Sequence, residues 1–209
     1  MKIPDYNDII EAHKRISDKI HNTPVISSEL INKIVGCKIL FKCENFQKIG
    51  AFKFRGATNA VLSLNELQKR AGVCTHSSGN HAQALSLAAK NEGIPAYIAM
   101  PETAPKVKIR AVKNYDAEIF FCKPNLAARE EKLKEIQKKT NASFVHPYDN
   151  PLVIAGQATA AKELLEEYPA LEIITAPIGG GGLMSGTALS ANYLQPKIKI
   201  IVAEPEKAD

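Results

Sequence analysis

The sequence predicts an α/β fold of two open, parallel-type sheets with flanking helices. Three observations carry that expectation. Short apolar runs alternate with longer stretches of helical periodicity from about residue 38 to residue 203, and such alternation calls for parallel strands joined by crossover helices. Two strand-like runs lead straight into tight polar or glycine turns that open helices, at Ser77-Ser78-Gly79-Asn80 and at Gly179-Gly180-Gly181-Gly182. The 209 residues are 45% apolar and 23% charged, which suits one large or two small domains with a real core. Two sheets are expected because one βα run, about 72–146, is bracketed by the other elements.

The elements follow in order. Asp5 is placed to cap a first helix with Ile9, Ala12, Ile16 and Ile20 on one stripe, ended by Asn22-Thr23-Pro24. A short helix covers Glu29 to Ile34 and stops at Gly36, and Lys38 to Cys43 reads as a strand. Residues 55–70 read as one helix with Val61, Leu64 and Leu67 on a face. Gly72 to His76 is a strand, and the helix His81 to Asn91 is closed by Gly93. Ala96 to Met100 is a strand, Lys106 to Asn114 a helix, Glu118 to Cys122 a strand and Leu126 to Thr140 a long helix. Ser143 to His146 is a strand, and after Pro151 a helix runs to about Tyr168. Leu171 to Pro177 and Lys197 to Ala203 are strands on either side of one more helix. No helix follows the last strand before Asp209, so the α/β domain reads as incomplete at its C-terminal side.

Charge and cysteine content narrow the function. The net charge of +5 comes from 27 basic and 22 acidic residues. Lys132, Lys134, Lys138 and Lys139 interleave with Glu130, Glu131 and Glu135, the pattern of a solvated helix face. No basic stripe carries interleaved aromatics, which argues against a nucleic-acid partner. Cys37, Cys43, Cys74 and Cys122 show no CxxC spacing and mostly fall in apolar runs, as buried free thiols do. No apolar run reaches membrane-span length, and the first residues lead directly into a helix, so a cytoplasmic protein without membrane attachment is expected.

The chemistry concentrates at three places. In Gly50-Ala51-Phe52-Lys53-Phe54-Arg55-Gly56-Ala57 a lysine stands among apolar residues. Burial disfavours its ammonium form, and a neutral amine attacks carbonyls to form Schiff bases. A lysine stem packed on phenylalanines is the competing explanation. The Gly179–Gly182 run follows a strand and opens a helix, where converging N–H groups and helix polarity suit a phosphate. It has neither the Walker spacing nor the dinucleotide GxGxxG spacing. The turn Ser77-Ser78-Gly79-Asn80-His81 sits at a strand's carboxyl end and suits a carboxylate; helix capping by Ser78 or Asn80 is the alternative. A carbonyl-reactive lysine, a phosphate cradle and a carboxylate turn together describe pyridoxal 5′-phosphate holding an amino acid.

At these motifs the chain resembles the fold-type II pyridoxal-phosphate enzymes, within them the serine racemase and serine/threonine dehydratase branch. The resemblance runs over nearly the whole chain and extends to Ala82-Gln83 after the polar turn. It implies a large cofactor-binding domain over 1–71 and 147–209 and a small mobile domain over 72–146. It implies that Lys53 and Ser78 are the catalytic pair, acting on opposite faces of Cα. It implies cofactor contacts from Phe52, Lys53, Asn80, Gly179, Gly180, Gly181, Gly182 and Leu183, and substrate contacts from Ser77, Ser78, Asn80, His81 and Arg129. An exposed arginine paired with Glu130 or Glu131 is an equal reading of Arg129. The implied activity is racemisation of L-serine with β-elimination to pyruvate and ammonia; dehydration of threo-3-hydroxyaspartate or threonine is the runner-up. A truncated phosphate-binding module without turnover and a nucleotide-binding regulatory domain are further alternatives.

The same resemblance implies a homodimer, a Mg²⁺ or Ca²⁺ site beginning at Glu204 and the Ala208 carbonyl, and ATP as an effector at Ser28, Lys48, Gln83 and Tyr115. The chain also departs from the family. Ala51 replaces a common serine, Glu29 would repel a nucleotide phosphate, and the family's C-terminal third is absent.

Overall fold

The computed structural model describes residues 2–206, and every element below lies within them. Helix α1 (Tyr6–Ile16) starts where Asp5 accepts the Asp8 N–H while the Asp8 carboxylate accepts the Asp5 N–H, a reciprocal capping box. Its stripe of Ile9, Ala12 and Ile16 is buried. Strands β1 (Val25–Ile26) and β2 (Phe41–Lys42) pair antiparallel. Between them α2 (Glu29–Val35) begins at Ser28 and ends at Gly36, whose φ of 73° is left-handed. The expected strand over Lys38–Cys43 is thus two residues long and stands outside the parallel sheets.

Two 3₁₀ turns, Glu44–Phe46 and Lys48–Gly50, lead into α3 (Lys53–Leu62). The helix expected over 55–70 is two helices. Asn65 and Gln68 form a second capping box that starts α4 (Glu66–Ala71) and breaks the run at Ser63–Leu64. Leu67 is consequently exposed rather than on a core face.

The central sheet is wholly parallel and ordered β5-β4-β3-β6. Its strands are β3 (Val73–His76), β4 (Ala96–Pro101), β5 (Glu118–Cys122) and β6 (Ser143–Phe144). Helices α5 (Asn80–Asn91), α6 (Lys106–Asn114) and α7 (Leu126–Thr140) make its crossovers. A second parallel pair, β7 (Ile173–Pro177) and β8 (Lys199–Ala203), is joined by α9 (Gly182–Leu194). Helix α8 (Pro151–Glu167), capped by Asn150 and opened by a proline, lies between and is buried over most of its length.

Glycine sets how closely α8 is packed. A Cβ on Gly156 would stand 2.6 Å from Gly56 Cα of α3, and one on Gly186 would stand 2.7 Å from the Ala158 nitrogen. Backbone therefore meets backbone on both sides of α8. One core joins Ile16 of α1, Phe54 and Val61 of α3, Leu85 of α5, Ile98 and Met100 of β4 and Val153 of α8. A smaller cluster of Leu164, Leu165, Ile174 and Ala191 lies under β7. Cys43, Cys74 and Cys122 are buried free thiols and Cys37 is exposed.

Candidate active site

Lys53 is the first residue of α3. The two phenylalanines beside it do different things. Phe54 is fully buried and pins the helix to the core, whereas Phe52 is half-buried and its ring centroid lies 5.3 Å from the lysine Nζ. Burial lowers the Lys53 pKa from 10.5 to about 8, because a low-dielectric site disfavours the ammonium form. Lys53 Nζ donates to the Pro147 carbonyl at 2.7 Å.

The glycine run and the lysine share one pocket of about 220 Å³, lined by Phe52, Lys53, Tyr148, Pro177, Ile178 and Gly179 to Leu183. Gly181 caps α9 with a φ of 85°, a left-handed conformation that glycine adopts without penalty. Gly180 lies against the Tyr148 ring so closely that a Cβ there would fall 2.2 Å from ring carbon Cδ1. Among the described residues, no acceptor takes the N–H groups of Gly179 to Gly182. Free N–H donors at a helix N-terminus, beside an amine of lowered pKa, fit a cofactor that brings a phosphate and an aldehyde.

The polar turn follows β3. Ser77 donates its N–H to the Ala99 carbonyl at 3.2 Å, and its hydroxyl accepts the Gly79 N–H at 3.2 Å. Gly79 is the N-cap of α5 and no side chain caps that helix, so capping explains neither Ser78 nor Asn80. The Ser78 hydroxyl has no hydrogen-bond partner among the described residues. Asn80 is exposed, and its Oδ1 accepts from Lys108 Nζ at 2.7 Å. An ammonium only donates, so this bond assigns the amide oxygen to Lys108 and leaves the Asn80 NH₂ as a donor.

His81 is placed differently from a substrate-binding side chain. Its ring is 2% exposed, and Nε2–H donates to the Val145 carbonyl at 3.1 Å. Burial chiefly lowers its pKa to about 3, with a smaller push from Lys53. Its Nδ1 is buried without a partner among the described residues, and its backbone N–H stands in the first turn of α5. The bonds of His81 and Lys53 end on Val145 and Pro147, two residues apart, which sets the α5 turn beside the amine.

Arg129 lies on α7, with Nε donating to the Asn125 carbonyl at 3.4 Å. No ion pair joins it to Glu130 or Glu131 among the described residues, and its charge helps lower the pKa of His76, after burial and His146. Ser28 accepts the Ile31 N–H as cap of α2, Lys48 donates to the Lys19 carbonyl, Gln83 is buried with Nε2 unpartnered, and Tyr115 ends α6. No hydrogen bond joins any two of these four. Glu204 is exposed beyond β8, and Ala208 lies outside the described residues. Among the described residues no group of three His, Cys, Asp or Glu side chains is placed to hold a metal.

Three contributors carried no advance signal: the Pro147 carbonyl, Tyr148 against Gly180, and His146, whose Nδ1 accepts the Asp149 N–H at 2.8 Å. A histidine ahead of proline, shortly before a helix cap, is the only pattern that marks them.

The family model described as pyridoxal-phosphate dependent enzyme matches residues 16–209. The β-hydroxyaspartate dehydratase of Paracoccus denitrificans is 51% identical over 209 residues, covering 100% of this chain and 66% of its own length. The serine racemase of Dictyostelium discoideum is 50% identical over 202 residues, covering 97% of this chain and 62% of its own. The structure of maize serine racemase matches with a TM-score of 0.98 at 47% identity, covering 100% of this chain and 63% of that one. The chain thus spans just under two thirds of the length of the curated relatives it matches. With the lysine pocket, the glycine cradle and the two parallel sheets in place, the chain belongs to the fold-type II pyridoxal-phosphate dependent enzymes.

Proposed function

We propose that this chain is the larger part of a pyridoxal-phosphate dependent amino-acid racemase and ammonia-lyase. Its reaction converts L-serine to D-serine and, in part, eliminates the β-hydroxyl to give pyruvate and ammonia. The observation that carries the reading is the Lys53 amine, its pKa lowered to about 8, in one pocket with an unsatisfied glycine cradle. Lys53 and the N–H groups of Gly179 to Gly182 would hold the cofactor, with Phe52, Leu183 and Asn80 against it. When bound, the cofactor supplies an electron sink for the pair left at Cα.

The chain's own groups do the rest. Lys53 takes and returns a proton at Cα from one face, which its lowered pKa suits near neutral pH. The free hydroxyl of Ser78 serves the other face. The N–H groups of Ser78, Asn80 and His81, with the Ser77 hydroxyl, orient the substrate carboxylate, and Arg129 approaches it from α7. The reading includes a small hydroxy amino acid as substrate, a cytoplasmic homodimer, and a small domain over 72–146 moving against 1–71 and 147–209. It also includes Mg²⁺ or Ca²⁺ at Glu204 and Ala208, and ATP at Ser28, Lys48, Gln83 and Tyr115.

A second reading, dehydration of threo-3-hydroxyaspartate, is favoured by Lys108, a cation at the substrate turn available to a second carboxylate. The experiment supplies the full-length protein with L-serine, L-threonine and threo-3-hydroxyaspartate and measures D-serine, pyruvate and ammonia. D-serine from L-serine, reduced about 10²-fold or more in Ser78→Ala with elimination retained, is the expected result. Turnover of hydroxyaspartate with neither D-serine nor pyruvate from serine would assign the second reading instead.

A further inference from the structure

The turn between β6 and α8 touches both halves of the pocket. His146 Nδ1 accepts the N–H of Asp149 at 2.8 Å and of Tyr148 at 3.4 Å. An acceptor attached at Cγ that takes the N–H two and three residues ahead is the histidine counterpart of an Asx turn. A nitrogen that accepts carries no proton, so the ring is neutral with its proton on Nε2. Burial and the Lys53 charge, opposed by Asp149, keep its pKa below the ordinary value and favour that form.

The closed turn presents two groups. The Pro147 carbonyl accepts from Lys53 Nζ at 2.7 Å. The Tyr148 ring lies on Gly180, and the Tyr148 carbonyl would stand 2.9 Å from a Cβ on Gly182. The imidazole itself packs edge-on to Tyr148, with centroids 4.6 Å apart, and to Phe144 at 5.5 Å.

We infer that His146 is a positioning residue of the active site: through the turn it closes, its Nδ1 sets where the Lys53 amine and the Gly179–Gly182 loop stand. This rests on the reading of Lys53 and the loop as the cofactor site. Two substitutions separate the acceptor from the ring. His146→Asn keeps an acceptor on the atom bonded to Cγ and removes the ring. His146→Phe keeps the ring and removes the acceptor.

Three measurements are made on the full-length protein: amide hydrogen exchange at Tyr148 and Asp149, labelling of Lys53 by limiting acetic anhydride near pH 8 followed by peptide mass spectrometry, and affinity for pyridoxal phosphate by absorbance. Loss of the acceptor of a hydrogen bond is worth up to about a factor of ten. His146→Phe is therefore expected to speed both amides about ten-fold, to change the Lys53 labelling rate several-fold and to weaken the cofactor about ten-fold. His146→Asn stays within about three-fold of the parent in all three. Parent-like exchange and labelling in His146→Phe overturns the inference, as does a His146→Asn impaired as badly as His146→Phe. Should His146→Phe fail to fold by circular dichroism, His146→Asn decides: retention supports the role and loss overturns it. A parent protein that takes up no pyridoxal phosphate sinks the functional reading, while exchange and labelling still decide the role of His146.

Discussion

At the scale of single residues the chemistry turns on one amine. Lys53 has a folded pKa of about 8, against an ordinary 10.5, because burial penalises its charge. Between those two values the unfolded chain binds a proton that the folded chain does not. This group therefore adds stability as pH rises through that window, and it favours folding least at and below about 8. The kinetic counterpart is a modification rate that climbs with the neutral fraction and levels off above pH 8. Acetylation of Lys53 against pH is expected to titrate near 8, below the ordinary lysine value of 10.5. A midpoint at that ordinary value would remove the premise of a reactive amine. The sequence marked this residue through its phenylalanine neighbours and the glycines ahead of it. It could not mark the Pro147 carbonyl, because a backbone acceptor has no residue signature. It read His81 as a substrate contact; the structure turns Nε2–H of the ring onto the Val145 carbonyl and leaves the backbone N–H in the first turn of α5, a split that adjacency to a polar turn does not reveal.

At the scale of elements, the run of four glycines was legible and the division of labour within it was not. Gly179 has nothing within 4 Å of where a Cβ would stand, whereas a Cβ on Gly180 would enter the Tyr148 ring. Gly179→Ala should therefore keep cofactor affinity within a few-fold. Gly180→Ala forces the ring or the loop to move, and overpacking of this kind costs about 1–3 kcal/mol, or roughly 5- to 150-fold in affinity if the loop gives way. Adding Tyr148→Ala should recover part of that loss. Titration of the four proteins with pyridoxal phosphate measures it, and equal affinities for Gly179→Ala and Gly180→Ala would rule out the contact as the cause. The same limit explains the element boundaries. Periodicity found β5, α6 and α7 at their observed ends, because each is bounded by turn residues. It ran α3 and α4 together because Val61, Leu64 and Leu67 keep helical spacing. The reciprocal bonds of Asn65 and Gln68 override that spacing.

At the scale of the whole molecule, the pieces around α8 are held by charges that apolar patterning does not show. Arg55 is fully buried two residues after Lys53. Its guanidinium reaches the Glu44 carboxylate at 2.8 Å and the Glu163 carboxylate at 2.6 Å. Lys42 of β2 reaches Glu163 at 2.6 Å as well. Burial alone would lower the Arg55 pKa; the hydrogen bonds and charges of Glu44 and Glu163 outweigh it and raise it. The cluster thus ties the first turn of α3 to α8, to the 3₁₀ turn at Glu44–Phe46 and to β2. Two cations and two carboxylates share the site, so its net charge is zero, and removing one member leaves a buried charge unpaired. Glu163→Gln is expected to cost about 3–5 kcal/mol, which for a chain of this size lowers Tm by roughly 6–20 °C. Arg55→Met made together with Glu163→Met leaves Lys42 and Glu44, so the net charge of the site stays zero. That double variant should lose clearly less than the sum of its single variants, because each single change strands a charge that the double change removes. Thermal unfolding of these variants and the parent by circular dichroism measures both numbers. Additive losses, or a Glu163→Gln loss under about 1 kcal/mol, would mean that solvent screens the cluster as it does a surface pair. A loss of the expected size would instead make this cluster the support that keeps the Lys53 end of α3 fixed against α8.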